Sequence, residues 1–175
     1  MASRVWWPEA TQESTAMTKL ELVQAAWKRQ IDAWQYELAR GDPIPICQQS
    51  RDGTRDCWRG FVLPLMNMAL EIAGEEFRIP DRVSSEQERT GERYIGQDGI
   101  ELFRDLSERV PERNMRIGDV IVFILKSRTH VALVVGNKRI AHAADTGVCR
   151  ARSDAVIKLR AKVLRYNGPG SSIFD

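Results

Sequence analysis

Apolar residues recur at intervals of three and four over residues 18–41, which is the pattern of a helix with one buried face. Thr18 followed by Glu21 forms a capping box at the start of this stretch, and Gly41 marks its end. The repeating apolar positions are Leu20, Val23, Trp27, Ile31, Trp34 and Leu38. We therefore expect an amphipathic helix that begins near Thr18 and ends near Gly41.

A second apolar stretch, residues 58–73, consists mostly of large side chains and predicts a more deeply buried helix. Gly74 is placed as its C-terminal stop. Pro64 lies in its early turns, where a proline bends a helix or delays its start. Residues 42–56, between the two helices, are rich in proline and polar residues and are expected to form a loop.

The periodicity changes in the second half of the chain, where short runs rich in Val and Ile predict strands. Before them, residues 79–99 are expected to form a polar connection and residues 99–109 a short helix. The turn at Gly136 is typical of a hairpin, and Gly118 supplies another turn. The predicted strands begin at Asp119, His130, Arg139 and Val156. Helices followed by an antiparallel meander indicate an α+β fold.

The length of the chain, 175 residues, suits one buried core and its extensions. We expect an N-terminal docking arm over residues 1–16, a single domain over residues 17–166 and a C-terminal tail over residues 167–175. The arm carries Trp6 and Trp7, and two adjacent tryptophans are costly to leave in water. We therefore expect the arm to dock on its own domain or on a partner.

Composition and charge exclude several classes of protein. Hydrophobic residues make up 43% of the chain and charged residues 29%, as in an ordinary globular protein. We expect no membrane span, because no apolar run reaches about 18 residues, and no secretory signal, because the N-terminus lacks an apolar core. A net charge of +2 gives no reason to expect nucleic-acid binding, and the basic residues between Arg150 and Arg165 are interpreted as a solvated strand face.

Three candidate catalytic residues stand out. Cys57 lies at the predicted start of the second helix, where unpaired N–H groups and the helix dipole favour a thiolate. The chain has two histidines, His130 and His142, in strands joined by the predicted hairpin, so we expect them to lie close together across the pair. A histidine against the sulfur would share its proton and make a nucleophile, which the second histidine would help to orient.

Less specific interpretations remain open at this stage. A cysteine before an apolar helix is more often buried core than nucleophile, and Cys47 and Cys149 are assigned to that class. Three dispersed cysteines also argue against a disulfide framework. Cys57, His130 and His142 are compatible with a zinc site, but no paired-ligand motif supports one.

The stretch GTRDCWRGFV, residues 53–62, resembles the nucleophile segment of the NlpC-type cell-wall cysteine peptidases, commonly G-x-D-C-[SW]-G-[LF]-V. The stretch MRIGDVIVFILKSRTHVALVVGNKRIAHA, residues 115–143, resembles that family's Gly-Asp strand, its His-Val strand and its strand ending in His-Ala. The Trp after the cysteine and the phrase RIPD, residues 78–81, are similar to the version carried in bacteriophage tail-assembly operons.

This resemblance implies a papain-like fold with Cys57 as nucleophile, His130 as general base and His142 as the residue that orients it. It implies cleavage of peptidoglycan stem peptides through an acyl-enzyme, without a metal or other cofactor. The expected setting is a virion, at the tip of a phage or phage-like tail, after synthesis in the cytoplasm of the host bacterium. The expected partners are other tail-tip or tail-hub proteins.

The sequence departs from the family pattern at two positions. Ile44 stands where members often carry a tyrosine that helps the oxyanion site, and Arg59 is an extra residue between Trp58 and Gly60. An extra residue in an α-helix rotates the later part of the helix by about 100°. These departures and the Trp6–Trp7 arm favour a second hypothesis, a catalytically weak or inactive structural component of the tail tip.

Overall fold

The computed structural model describes residues 16–39, 57–80, 103–124, 129–144, 147–152 and 161–175. Two helices precede an antiparallel sheet, so the predicted α+β class is confirmed. Trp6, Trp7, Ile44 and Cys47 lie outside the described residues, as do residues 81–99 of the predicted connection.

The first helix, α1, spans Lys19–Ala39 and begins with the predicted capping box. The Glu21 N–H donates to Thr18 Oγ1 at 3.2 Å, and the Thr18 N–H donates to Glu21 Oε2 at 2.7 Å. Its buried face consists of Val23, Trp27, Ile31 and Trp34, four of the predicted apolar positions. The Trp27 Nε1–H donates to the carbonyl of Leu65 at 2.7 Å, which ties α1 to the second helix.

The second helix starts as a π-helical turn, Trp58–Val62, and continues as α2, Leu63–Ala73. Gly74 ends it in the left-handed conformation, with φ 86°, as its position in the sequence predicts. Pro64 occupies the first turn of α2, where the missing N–H costs least. The predicted delay of the regular helix at Pro64 is thereby confirmed.

The described strands form one sheet in the order β1-β6-β2-β3-β4-β5, with every pair antiparallel. β2, β3 and β4 follow one another as an antiparallel meander, as predicted, and β5 extends it. β6, which lies within the strand predicted from Val156, pairs with β2 and not with β4. A two-residue turn, Asn137 and Lys138, joins β3 to β4, so the predicted hairpin is confirmed. The strands are β1 Ser107–Val110, β2 Val120–Ile124, β3 Thr129–Gly136, β4 Arg139–Ala144, β5 Gly147–Arg152 and β6 Ala161–Tyr166.

Two elements differ from the prediction. The expected helix over residues 99–109 is wrong at its end, because Ser107 pairs with Tyr166 and Arg109 with Leu164 in the β1–β6 ladder. Helix remains at residues 103–105, and the buried Phe103 ring packs against Trp58 with the ring centroids 4.9 Å apart. Strand β5 was not predicted at all. Both strands lie at the edges of the sheet. β1 forms because the distant β6 offers it a partner, whereas β5 pairs with β4, which precedes it directly in the chain.

The two faces of the sheet carry separate apolar clusters. One face, with Val122, Val131 and Leu133, packs against α1 and α2. The opposite-face cluster consists of Val110, Ile121, Phe123, Ala132, Val134, Ile140 and Val163. Residues 167–175, expected to be a tail, also contribute to the core: Ile173 and Phe174 are buried, and the Phe174 ring stacks on Trp27 with centroids 6.1 Å apart.

The start of β2 is held by a buried ion pair. The Asp119 carboxylate, 1% exposed, accepts hydrogen bonds from Arg165 Nε at 3.0 Å and Nη2 at 2.9 Å, and from the Arg116 N–H at 2.8 Å. Gly118 adopts φ 90°, and its missing Cβ leaves room for the Phe174 ring. Gly118 and Asp119 therefore have a structural role, because they fix the start of β2, the strand that pairs with β3.

Within the described residues, neither helix is both long enough and apolar enough to cross a bilayer.

Candidate active site

Cys57 lies directly before the π-helical turn, as the N-cap of the second helix. Its side chain is a thiol that is not part of a disulfide, and only 3% of its surface is exposed. The first N–H groups of a helix have no carbonyl partners within it, and the helix dipole places partial positive charge at this end. A thiolate is therefore better tolerated at Cys57 than at most positions with so little exposure.

The π-helical turn accommodates the extra residue Arg59. The Val62 N–H donates to the carbonyl of Cys57 at 3.1 Å, and the Leu63 N–H donates to that of Trp58. Each bond spans five residues instead of the four of an α-helix, so each encloses one additional residue. In the pattern C-[SW]-G-[LF]-V the valine comes four residues after the cysteine, and an α-helical bond would join the same two positions.

One more residue in a regular α-helix would rotate the part of the helix after it by about 100°. The π-helical turn avoids this rotation. The Cys57 carbonyl and the Val62 N–H are joined by a bond that spans five residues, so this turn holds one residue more than an α-helical turn. Pro64 contributes to this, because its ring would clash with the carbonyl four residues earlier in a regular α-helix.

His130 and His142 lie in neighbouring strands, with their rings in contact. His130 Nε2 and His142 Nδ1 are 3.0 Å apart, a hydrogen-bond distance, and the ring planes are nearly perpendicular at 87°. The β3–β4 register pairs Leu133 with Ala141, and continued by one residue it sets Ala132 opposite His142. His130 is two residues before Ala132 and so shares its face of the sheet with His142.

One hydrogen bond connects the start of the helix to the start of β3. The N–H of Val131 donates to Cys57 Sγ at 3.4 Å, and Val131 is the residue next to His130. Cys57 therefore lies against the same strand end as the two histidines. A backbone donor on the sulfur stabilises its anionic form.

Burial lowers the pKa of His142 below its ordinary value of 6.5, and a hydrogen bond with the Ala143 backbone opposes part of this shift. His142 is thus kept neutral near pH 7. A neutral imidazole with its proton on Nε2 presents the lone pair of Nδ1 as an acceptor. In this tautomer, His142 Nδ1 can accept a hydrogen bond from His130 Nε2–H.

The same hydrogen bond argues against a metal ion shared by both rings, because His130 Nε2 and His142 Nδ1 point at each other. In the part of the chain that the structure describes, no three His, Cys, Asp or Glu side chains form a group suited to a metal.

Sequence reasoning missed two contributors at this strand end, the Val131 N–H and the Phe123 ring, which stacks on His130 with centroids 6.0 Å apart. A backbone donor leaves no signal in a sequence, whereas Phe123 follows from the β2–β3 register once both strands are aligned. Cys149 lies in β5 opposite His142 in the strand register.

A cavity of about 710 Å³ lies between α1 and the β3–β4 turn, lined by residues that include Trp27, Ile31 and Ile140. It lies at the far end of β3 from His130, roughly 17–20 Å along the strand. The candidate site is therefore defined by Cys57, His130 and His142 at the start of β3 and not by this cavity.

No protein-family model matches the chain, and a search of the curated proteins finds no match.

Proposed function

We propose that this chain is a cysteine peptidase of the NlpC type, with a papain-like fold and a Cys57–His130–His142 triad. The observation that carries the proposal is the convergence at the start of β3, where Cys57 Sγ meets the Val131 N–H at 3.4 Å and His130 contacts His142 at 3.0 Å. A cysteine at the start of a helix that packs on an antiparallel sheet supports the papain-like assignment.

Two groups favour the nucleophilic form of Cys57. They are the N-terminal end of the helix and the Val131 N–H, and both stabilise negative charge on the sulfur. His130 takes the proton from the thiol, and its Nε2–H then donates to His142 Nδ1. Because burial keeps His142 neutral, no second positive charge opposes the imidazolium.

The proposed reaction has two stages. The thiolate attacks the carbonyl carbon of the scissile amide, and the unpaired N–H groups at the helix start stabilise the oxyanion. The C–N bond breaks as His130 gives its proton to the leaving amine, which leaves a thioester on Cys57. Water, deprotonated by His130, then attacks the thioester, and the sulfur leaves as the thiolate.

The residue pattern around Cys57 and the two histidines favours peptidoglycan stem peptides as the substrate and a phage-type tail tip as the location. In that setting the enzyme opens the cell wall locally while DNA is delivered, in contact with other tail-tip or tail-hub proteins. The chemistry needs no metal or cofactor, and nucleic acid has no part in it.

The test is release of cross-linked stem peptides from purified sacculi by the full chain. A variant with Cys47→Ser and Cys149→Ser is the matched control, because it changes two thiols and keeps Cys57. We expect this control to remain active and its Cys57→Ala derivative to be inactive. Equal release with and without Cys57 would eliminate the proposal.

A second candidate function is a structural tail-tip component that keeps the fold for assembly. The observation in its favour is that Cys57 is only 3% exposed, which is usual for a core cysteine. On this hypothesis, deletion of residues 1–16 abolishes incorporation into particles, while Cys57→Ala particles stay fully infectious. A large loss of infectivity in Cys57→Ala would argue against it.

A further inference from the structure

We propose that Phe123 is a positioning residue that holds the His130 ring in line with His142 and favours its charged form. The inference rests on the proposed function, because it concerns the base of that triad. Phe123 stacks on His130, so it acts on the triad through that ring.

The geometry begins with the strand register. Phe123 in β2 is directly opposite His130 in β3, which places the two Cβ atoms about 4.5–5.5 Å apart on one face. The ring centroids are 6.0 Å apart and the planes differ by 27°, an offset stack. The two rings therefore lie side by side at a small angle, and the phenyl ring borders one face of the imidazole.

Phe123 is itself immobilised. It is 2% exposed and packs within the opposite-face cluster, together with Ile121, Ala132 and Val134. A ring surrounded in this way keeps one rotamer, because protein interiors are close-packed. His130 is only half-buried, so its orientation depends on what it touches.

Two contacts then constrain the His130 ring from different directions. Phe123 lies parallel to its face, and His142 meets it edge-on at 87° with a hydrogen bond to Nε2. The stack restricts the tilt of the ring, and the hydrogen bond restricts its rotation within that plane. Together they fix the His130 ring with its Nδ1 edge on the side away from His142.

The charge of the site favours the same arrangement. The face of an aromatic ring carries partial negative charge and attracts a cation that lies over it. Two titratable side chains lie near the His130 ring. His142 in β4 contacts the ring itself, and Cys57 at the start of the helix accepts a hydrogen bond from the N–H of Val131, the next residue along β3. Phe123 therefore supports the imidazolium that pairs with a Cys57 thiolate, which an aliphatic side chain of similar size does not.

The experiment measures the rate of Cys57 alkylation against pH in the full chain, with Cys47 and Cys149 replaced by Ser. Phe123→Leu removes the aromatic face, and we expect it to raise the pH midpoint of alkylation by about half a unit to one unit. Ile121→Val is the matched control, because it removes one methylene from the same strand and cluster and leaves the Phe123 ring in place. Both variants lower the melting temperature, but only Phe123→Leu is expected to move the midpoint.

Equal midpoints for Phe123→Leu and Ile121→Val would overturn the inference while leaving the triad intact. If Phe123→Leu does not fold, Phe123→Met is measured in its place with the same expectation. A parent chain whose alkylation profile is that of an ordinary thiol, and is unchanged by His130→Ala, would remove the proposed function and this inference with it.

Discussion

Deletion of Arg59 tests whether the π-helical turn absorbs the extra residue after Cys57. The two five-residue bonds, from Val62 to Cys57 and from Leu63 to Trp58, both enclose Arg59. Without it, each becomes a four-residue α-helical bond between the same partners. We therefore expect the side chains before and after the deleted residue to remain on the same faces of the helix as in the parent chain.

The expected magnitude comes from helix geometry. No backbone hydrogen bond needs to be lost, so the free energy of unfolding should change by about 1 kcal/mol or less, the worth of one such bond. Deletion of Met68, in the regular part of α2, is the matched control. It rotates one side of the helix by about 100° relative to the other. If that rotation turns only two fully buried side chains, such as Phe61 and Leu65, toward solvent, the free energy of unfolding falls by about 3–6 kcal/mol.

The assay is equilibrium unfolding in denaturant for both deletions, with Arg59→Ala included to separate loss of the side chain from loss of the residue. We also expect Cys57 to alkylate in the Arg59 deletion as it does in the parent chain. An Arg59 deletion as damaging as the Met68 deletion would refute the reasoning, because the turn would then not be absorbing an insertion.

Three further predictions concern groups around the site. Asp119→Asn should lower the free energy of unfolding by about 3–5 kcal/mol in denaturant titrations, because it leaves the charge of Arg165 without its buried partner; a loss under about 1 kcal/mol would contradict this. For His142, whose pKa is lowered by burial, the unfolded chain takes up a proton near pH 6.5 before the folded chain does. The stability that the protein has above pH 6.5 is therefore lost as the pH falls toward the lower pKa of His142 in the folded chain. In thermal melts, the melting temperature of His142→Gln should fall less over this pH range than that of the parent chain. Parallel curves of melting temperature against pH would contradict this. Phe174→Ala should cost about 3–5 kcal/mol, because the ring packs on Trp27 in the core, and a solvated tail would lose almost nothing.

Local signals predicted the parts of the fold that are decided locally. The capping box at Thr18 and the glycine stop at Gly74 act within a few residues, and both occur where the sequence indicates. The hairpin turn after Gly136 brings β3 and β4 side by side, so His130 and His142 could be predicted to lie on neighbouring strands, but a register shift between Val134 and Gly136 places both on one face.

Three of the features that were missed depend on partners distant in the chain. Residues 107–110 come after a helical segment and become strand β1 only because β6, more than fifty residues later, offers a partner. The C-terminal residues have no periodicity of their own, yet Phe174 fills the space over Gly118. The Val131 N–H is a backbone group, and only the folded chain brings it to Cys57.

The most direct test of the central claim is the pH dependence of Cys57 alkylation in the chain and in His130→Ala, with Cys47 and Cys149 replaced by Ser. The account predicts rapid alkylation well below about pH 8.5, where an ordinary thiol is mostly protonated, and loss of that low-pH reactivity in His130→Ala. An alkylation profile centred near that of an ordinary thiol and indifferent to His130 would contradict the claim that Cys57 and His130 form a nucleophile and its base.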